Sequence, residues 1–484
     1  MWLHHAVTCP RWGGAVMKAP WLWMLLPGLL GLVLLVWRPP TRQGAWWAGA
    51  LGFVLLSVAS VVPIEAAVLW GRWAFRLDAS MVVLGRQFVL PDAARPWLIM
   101  LYAGLVLWMA GAYAARAPAY APGLALMTIA LGVGALAVRP PLYAVLLMAM
   151  AAWGSLPLLV HREAPQARGA VRWLAFQTLA VPLLLYAGWL LSLNQGGGAT
   201  PLSLRAVGLL GLGVALLLAL FPFHSPISLL SEETSPHALV WIVLLTTGVV
   251  GTWAMGFLYG LPWVREARVL LWLRTVGVLM WALGGLMAPF QRHAGRMLGY
   301  AVLAEAGMML VALSLPAQEG VPLFFLLWVV RLVALALWGT GLARLRIVGG
   351  GLAFRGLLGL GRAYPLASVS VVVAALTLAG VPWLPGFPTR MALWEALART
   401  SLWALGGALL GTGGLVGGAF RLVGGLFTGA GEQETPTERK FAWGDVFPLG
   451  MTLFLVVLGG LLPDLWVVPL IEIVQRLWLQ SPGP

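Results

Sequence analysis

Long apolar runs recur along the whole chain, each interrupted by an arginine, a proline or a short polar cluster. Many reach about 18 residues or more, the length a helix needs to cross roughly 30 Å of hydrocarbon. Dividing the chain at those interruptions predicts about fourteen helices. They fall near 21–37, 45–63, 97–115, 122–138, 141–160, 173–193, 206–223, 237–260, 269–289, 297–315, 321–342, 365–386, 400–427 and 446–463. A membrane β-barrel would alternate in polarity from residue to residue, and these runs do not. The expected class is therefore all-α, a polytopic transmembrane bundle. The most polar connections are 64–96 and 428–445, and the second contains GAGEQETPTERK, the clearest solvent loop. After the last helix, LWVVPLIEIVQRLWLQ reads as an amphipathic segment lying along the membrane surface.

Composition agrees. Of 484 residues, 61% are hydrophobic and only 10% charged, against about a quarter charged in ordinary soluble domains. Mean hydropathy is +0.91. A net charge of +14 would raise nucleic acid as a partner of a soluble protein. Here the arginines sit in short connections, where they set topology. The odd-numbered connections carry the larger share, which places them in the cytoplasm and both termini outside. Arg72, Arg76, Arg86 and Arg95 in the second connection narrow that margin. The single cysteine, Cys9, excludes a disulfide framework and a cysteine-ligated metal site. Residues 1–16 differ in character from the rest, and Met17-Lys18 reads as a natural start, so 1–20 is taken as an N-terminal extension. Nucleotide-binding loops, CxxC pairs and histidine clusters are absent. The chain is thus expected to carry no cofactor, no metal and no catalytic site of its own.

Charge inside the apolar runs is the informative exception, because it is costly at bilayer depth and usually functional. The two lysines, Lys18 and Lys440, lie outside those runs, whereas Arg274, Arg331 and Arg390 lie inside them. Arginine in practice keeps its proton, so these cations could organise a proton path without relaying protons themselves. A second exception is broken backbone. The seventh expected helix ends in LFPFHSP (220–226) and the twelfth in AGVPWLPGFPTR (379–390). Both place prolines where a helix should continue, and such breaks at membrane depth are tolerated only against protein or a wet cavity. Matching breaks five helices apart point to an ion site in an inverted-repeat transporter. The bland alternative is that the prolines simply end helices at the interface.

These segments carry a resemblance. FPFHSPISLLSEETSPHAL (221–239), RMLGYAVLAEAG (296–307) and LTLAGVPWLPGFPTRMALWEAL (376–397) occur in the right order and at the right helix numbers. Together they resemble the antiporter-like membrane subunits of respiratory complex I and of Mrp cation antiporters, and the likeness covers residues 21 to about 465. It implies two inverted five-helix repeats with the seventh and twelfth helices broken. The corresponding division is 21–121 for peripheral helices, 122–262 and 263–427 for the repeats, and 428–484 for the polar loop, last helix and tail. It also implies other membrane subunits, the lipid bilayer and protons or monovalent cations as partners, and a multi-pass place in the inner (plasma) membrane.

Members of that family conduct along charged residues at mid-membrane depth, and this chain departs from their pattern. The positions of the fifth-helix acid and the seventh-helix lysine hold Ala152 and Leu217. The histidine of the proline break is kept as His224. The tenth-helix histidine position is Glu305, and the lysine positions of the eleventh and twelfth helices are Arg331 and Arg390. The resemblance therefore implies an ion pathway of Glu305, Arg331, Arg390 and His224, with a degenerate first half-channel. Each residue also has a structural reading. Glu305 could form a fixed ion pair with Arg331, Arg390 could anchor at the interface, Arg274 could snorkel, and His224 could bond the freed backbone of the break. Glu232 and Glu233 read as loop acids, while Glu65 and Glu395 are embedded or interfacial. The functional expectation is a proton-translocating subunit of a complex I-like NADH-quinone oxidoreductase or a related complex. The alternatives are a non-conducting structural subunit, or a subunit of a cation/proton antiporter or an inorganic-carbon uptake complex.

Overall fold

The computed structural model describes residues 16–65, 67–70, 73–160, 167–193, 201–428 and 443–479. The expected extension up to residue 15, with Cys9, and the polar loop with Lys440 lie outside the described residues.

Every apolar run forms a helix. In chain order they are α1 (Leu26–Trp37), α2 (Thr41–Val61), α3 (Arg95–Ala112), α4 (Ala121–Ala137), α5 (Ala144–Gly154), α6 (Leu156–Leu159), α7 (Arg168–Leu193) and α8 (Pro201–Leu217). Then follow α9 (Ser225–Glu233), α10 (Pro236–Gly260), α11 (Ala267–Met287), α12 (Ala294–Leu313) and α13 (Ala317–Gly349). The short α14 (Phe354–Leu357) and α15 (Leu360–Ala363) precede α16 (Pro365–Ala379), α17 (Gly386–Thr400), α18 (Leu402–Phe427), α19 (Trp443–Leu461) and α20 (Asp464–Val474). Among the described residues, eight helices are long and apolar enough to cross a membrane, or ten if two sharply bent pairs each count as one span. The tail helix α20 turns 81° away from the end of α19, which suits a segment leaving the direction of the span.

The bundle has a buried centre and a lipid-like rim. The most apolar windows of α10 and α13 are 89% buried and that of α12 is 83% buried, against 33% for α2, α7 and α11. A helix apolar all round belongs in the interior or against lipid, so burial here assigns α10, α12 and α13 to the interior. Glycines let neighbouring helices close up, as expected where packing rather than hydrophobicity drives association. A Cβ on Gly411 of α18 would collide with the backbone of Trp281 on α11, and one on Gly285 of α11 with the backbone of Gly411.

The polar connection 64–96 is not simple loop. Two small sheets stand there: β1 (Val16–Lys18), β2 (Ala67–Trp70) and β3 (Trp73–Asp78) in one, and β4 (Ser80–Val83), β5 (Arg86–Val89) and β6 (Val138–Arg139) in the other. The β4–β5 hairpin turns on Leu84 and Gly85, both at positive φ, the backbone that a two-residue hairpin turn requires. β6 joins this sheet from the connection after α4, pairing Phe88 with Val138. Two successive even-numbered connections are thereby tied together at one end of the bundle.

Both proline segments break their helices. α8 stops at Leu217 and α9 begins at Ser225, with Ala219 at φ 50 between them. α16 stops at Ala379 and α17 begins at Gly386, with Gly380 at φ 73 and Trp383 at φ 66.

Candidate functional site

The breaks explain how charged groups come to sit in an apolar interior. A helix that stops inside a bundle leaves carbonyls without intrahelical partners, and these must be satisfied. At the second break, Gly380 closes α16 with its amide donating to Thr377 O at 3.0 Å and the Val381 amide donating to Leu376 O at 3.1 Å. Position 380 has to be glycine for two reasons. Its φ is left-handed, and a Cβ there would strike the aliphatic stem of Arg390. Arg390, on α17, reaches back so that Nη2 donates to Leu378 O. A cation at the carbonyl end of a helix is favourably placed.

The same Nη2 donates to Glu305 Oε1 of α12, and both side chains are fully buried. The guanidinium also lies 5.9 Å from the Trp281 ring centroid. Glu305 is the one fully buried carboxylate among the described residues. The pairing differs from the sequence expectation: the partner of Glu305 is Arg390 and not Arg331. The reason is the break. By ending α16 early it turns α17 inward, so Arg390 becomes an interior group and not an interfacial anchor.

Arg331 lies midway along the unbroken α13 and is 1% exposed. Its Nη2 donates to Thr247 Oγ1 of α10 at 3.2 Å, and its Nη1 lies 3.9 Å from the sulfur of Met309. Met309 is one helical turn from Glu305 on α12, so it stands between the two charged groups. Arg390, Glu305, Met309, Arg331 and Thr247 thus form a buried line across α17, α12, α13 and α10. The line is only partly satisfied by protein: Glu305 Oε2, Arg331 Nε and the Nε and Nη1 of Arg390 have no hydrogen-bond partner among the described residues.

His224 is not in this line. It is the residue preceding α9, with its ring stacked on Phe221 at 5.9 Å and its Nδ1 buried without a partner among the described residues. The freed carbonyl at the first break is bonded instead by Gln177 of α7, whose Nε2 donates to Leu217 O at 2.9 Å. Gln177 also lines a cavity of about 30 Å³ with Ala152, Ser155 and Thr246. The positions expected for an acid and a lysine therefore converge on a neutral amide.

The remaining acids are peripheral. Glu232 pairs with Arg296 at 3.7 Å, Glu233 Oε2 accepts the Gly169 amide at 2.8 Å, and Glu395 pairs with Arg399 at 3.2 Å. Glu65 is exposed beside the first sheet. Arg274 is partly buried on α11.

The sequence reading missed Gln177, Thr247 and His237. The last is 2% exposed at the start of α10, stacked on Trp108 at 4.5 Å, with Nδ1 3.4 Å from Thr340 Oγ1. It lines a polar cavity of about 500 Å³ together with Arg116, Glu232, His293 and Arg346. The only sequence signal was its place in TSPHAL, inside a segment already singled out. Just outside the spans, His293 is held below its ordinary range by burial, with Arg346 and Arg296 acting the same way and Glu232 opposing.

Residues 173–415 match the family described as NADH:quinone oxidoreductase/Mrp antiporter, TM. The chain belongs to that family. Among its relatives is NADH-quinone oxidoreductase subunit 14 of Thermus thermophilus, 29% identical over 384 residues, which are 78% of this chain and 76% of the relative. Subunit N of the enzyme from Rhodopseudomonas palustris is 29% identical over 244 residues, 49% of this chain and 52% of the relative. The fold matches a chain of the Mrp complex from Dietzia sp. at TM-score 0.80 and 17% identity, covering 95% of this chain and 97% of that one. It matches a chain of respiratory complex I from Thermus thermophilus at TM-score 0.77 and 19% identity, covering 95% and 98%. The family's matched region spans both breaks and the whole buried line.

Proposed function

We propose that this chain is a proton-translocating, antiporter-like membrane subunit of a complex I-like NADH-quinone oxidoreductase or a related multi-subunit complex in the plasma membrane. The observation that carries the proposal is Glu305. It is a fully buried carboxylate, paired with Arg390 at a helix break and flanked by a second buried guanidinium, in a chain of the antiporter family. Among these groups only Glu305 can exchange a proton, since arginine keeps its own. Leu378 O gives Arg390 a second acceptor. When Glu305 is neutral the guanidinium therefore keeps a partner and can lean toward the end of α16. Protonation of one carboxyl thus changes which group holds Arg390, and this is a device a neighbouring subunit could read. The division into repeats at 122–262 and 263–427 places α8–α9 in the first and α16–α17 in the second. With Gln177 standing between Ala152 and Leu217, the first half has no ionisable loading pair at these positions among the described residues, and we assign translocation to the second half.

The test is proton transport in membrane vesicles holding the assembled complex with Glu305→Gln. Transport lost with normal assembly supports the carrier role, and unchanged transport with normal assembly removes it. Failure to assemble would favour the second reading, a structural subunit held by a fixed buried pair.

A further inference from the structure

The buried line does not balance in charge. Among the described residues the fully buried acidic and basic side chains of the spans are Glu305, Arg331 and Arg390, with the neutral-capable His237 apart from them. Glu305 answers Arg390, and Arg331 makes no ion pair among the described residues. Its contacts are one hydroxyl, Thr247 Oγ1, and one thioether, the sulfur of Met309, and its Nε has no partner. A guanidinium at this depth that shares its nearest carboxylate, Glu305, with a directly bonded Arg390 is costly, and unlike a lysine it cannot escape by losing its proton.

Arg331 lines a cavity of about 150 Å³. At ~30 Å³ per water molecule in the liquid, that is room for a small anion with a partial shell, or for a carboxylate and its first methylenes. Two hydroxyls, Thr246 and Thr247, and the indole of Trp173 line it with Arg331, and the other side chains of the wall are aliphatic or phenyl groups and the thioether of Met309. The cavity reaches the α8–α11 side of the bundle. Leu210 and Gly211 of α8 and Leu273 of α11 line it, and all three keep some surface exposed. Both helices have one face on the rim of the bundle, and Val264 of the connection after α10 also lines the cavity.

We propose that Arg331 binds a monovalent anion in this cavity, either the carboxylate of a membrane-derived acyl chain reached between α8 and α11 or a small inorganic anion such as a halide. The anion supplies a second counter-charge beside Glu305, which is directly paired with Arg390, and the threonine hydroxyls donate to it. This assignment concerns binding and does not depend on whether the protein moves protons.

The test uses the full chain, purified and exchanged into detergent with sodium gluconate, whose polyhydroxy body is too large and polar for the cavity. Thermal unfolding is followed by tryptophan fluorescence while laurate, chloride or bromide is titrated in. Ligand that binds only the folded state raises Tm with concentration, so a saturable rise of a few degrees is expected. Arg331→Gln should abolish it and Arg331→Lys should retain it. Gly211→Leu separates the two sources. A Cβ at Gly211 meets nothing within 4 Å, so a side chain can be built there on the α8–α11 side of the cavity. A rise with laurate that Gly211→Leu removes assigns the lipid carboxylate, and a rise with halide that Gly211→Leu leaves intact assigns the inorganic anion. No rise with any of the three, or a rise that persists in Arg331→Gln, overturns the proposal. Should Arg331→Gln fail to fold, Thr247→Val decides. Loss of the hydroxyl beside the guanidinium should raise the half-saturating concentration several-fold, and an unchanged value overturns the assignment.

Discussion

Replacing Glu305 and Arg390 with leucine, singly and together, tests whether the pair acts as one unit. Both side chains are fully buried. Removing one partner leaves the other as a buried charge without its counter-ion, a loss of about 3–5 kcal/mol in comparable pairs. The structure makes the two single variants unequal. In Glu305→Leu, the Arg390 guanidinium keeps Leu378 O and the face of Trp281, which puts the loss at the lower end of that range. In Arg390→Leu, the Glu305 carboxylate has no other partner among the described residues, and the loss falls at the upper end unless the group takes up a proton. The double variant replaces both with apolar groups and leaves no buried charge; such a change is often near neutral where volume is kept, and the shortfall in length at position 390 adds a packing cost. The single losses should therefore exceed the double loss, with a coupling energy of about 2 kcal/mol or more, in the upper part of the range for residues in contact. The assay is reversible unfolding of the purified chain in mixed micelles, with the four variants compared at one denaturant. Losses that simply add would mean that the two groups do not sense each other in the folded protein, and the assignment of α17 to the interior would have to be withdrawn.

Other outcomes follow from single positions. Arg331→Lys keeps a cation but one that can shed its proton, so the pH dependence of proton transport by the assembled complex should differ from that of the wild type, with assembly intact by native gel electrophoresis. Gly411→Val pushes α18 off α11, because a Cβ there meets the Trp281 backbone; a loss of about 1–3 kcal/mol is typical of overpacking, read as a lower Tm. His293 is held below its ordinary value of 6.5 by burial. The unfolded chain therefore binds the proton first, and stability should fall as pH drops from about 6.5 toward the lowered folded value. His293→Asn should flatten the Tm profile across that window and leave it unchanged above pH 7.

Apolar period and length were enough to locate the long apolar helices, but not α9 and α17, which follow the two breaks and put Glu232 and Glu233 on a helix rather than in a loop. Each of the fourteen expected segments contains a helix within a few residues of the reading, because in hydrocarbon a spanning segment must satisfy its own backbone, and that constraint is written locally. The two proline clusters announced the breaks for the same reason: proline removes a donor wherever it stands. Glu305, Arg331 and Arg390 were legible as unusual from the cost of charge in an apolar run. Their partners were not. The pairing of Glu305 with Arg390 depends on how far α17 turns after Gly380, a property of backbone direction and not of either residue. Gln177, 40 residues from the carbonyl it bonds, looked like an ordinary polar residue in a helix, and only packing aims it at Leu217. The second sheet, which joins Phe88 to Val138, likewise needs two distant segments to meet. The sequence by itself determined which segments leave water and which residues pay a penalty for doing so. The tertiary structure decided which of those residues meet, because contact between separate helices depends on their mutual rotation and on the glycines that let them approach, and neither is encoded in any one stretch of chain.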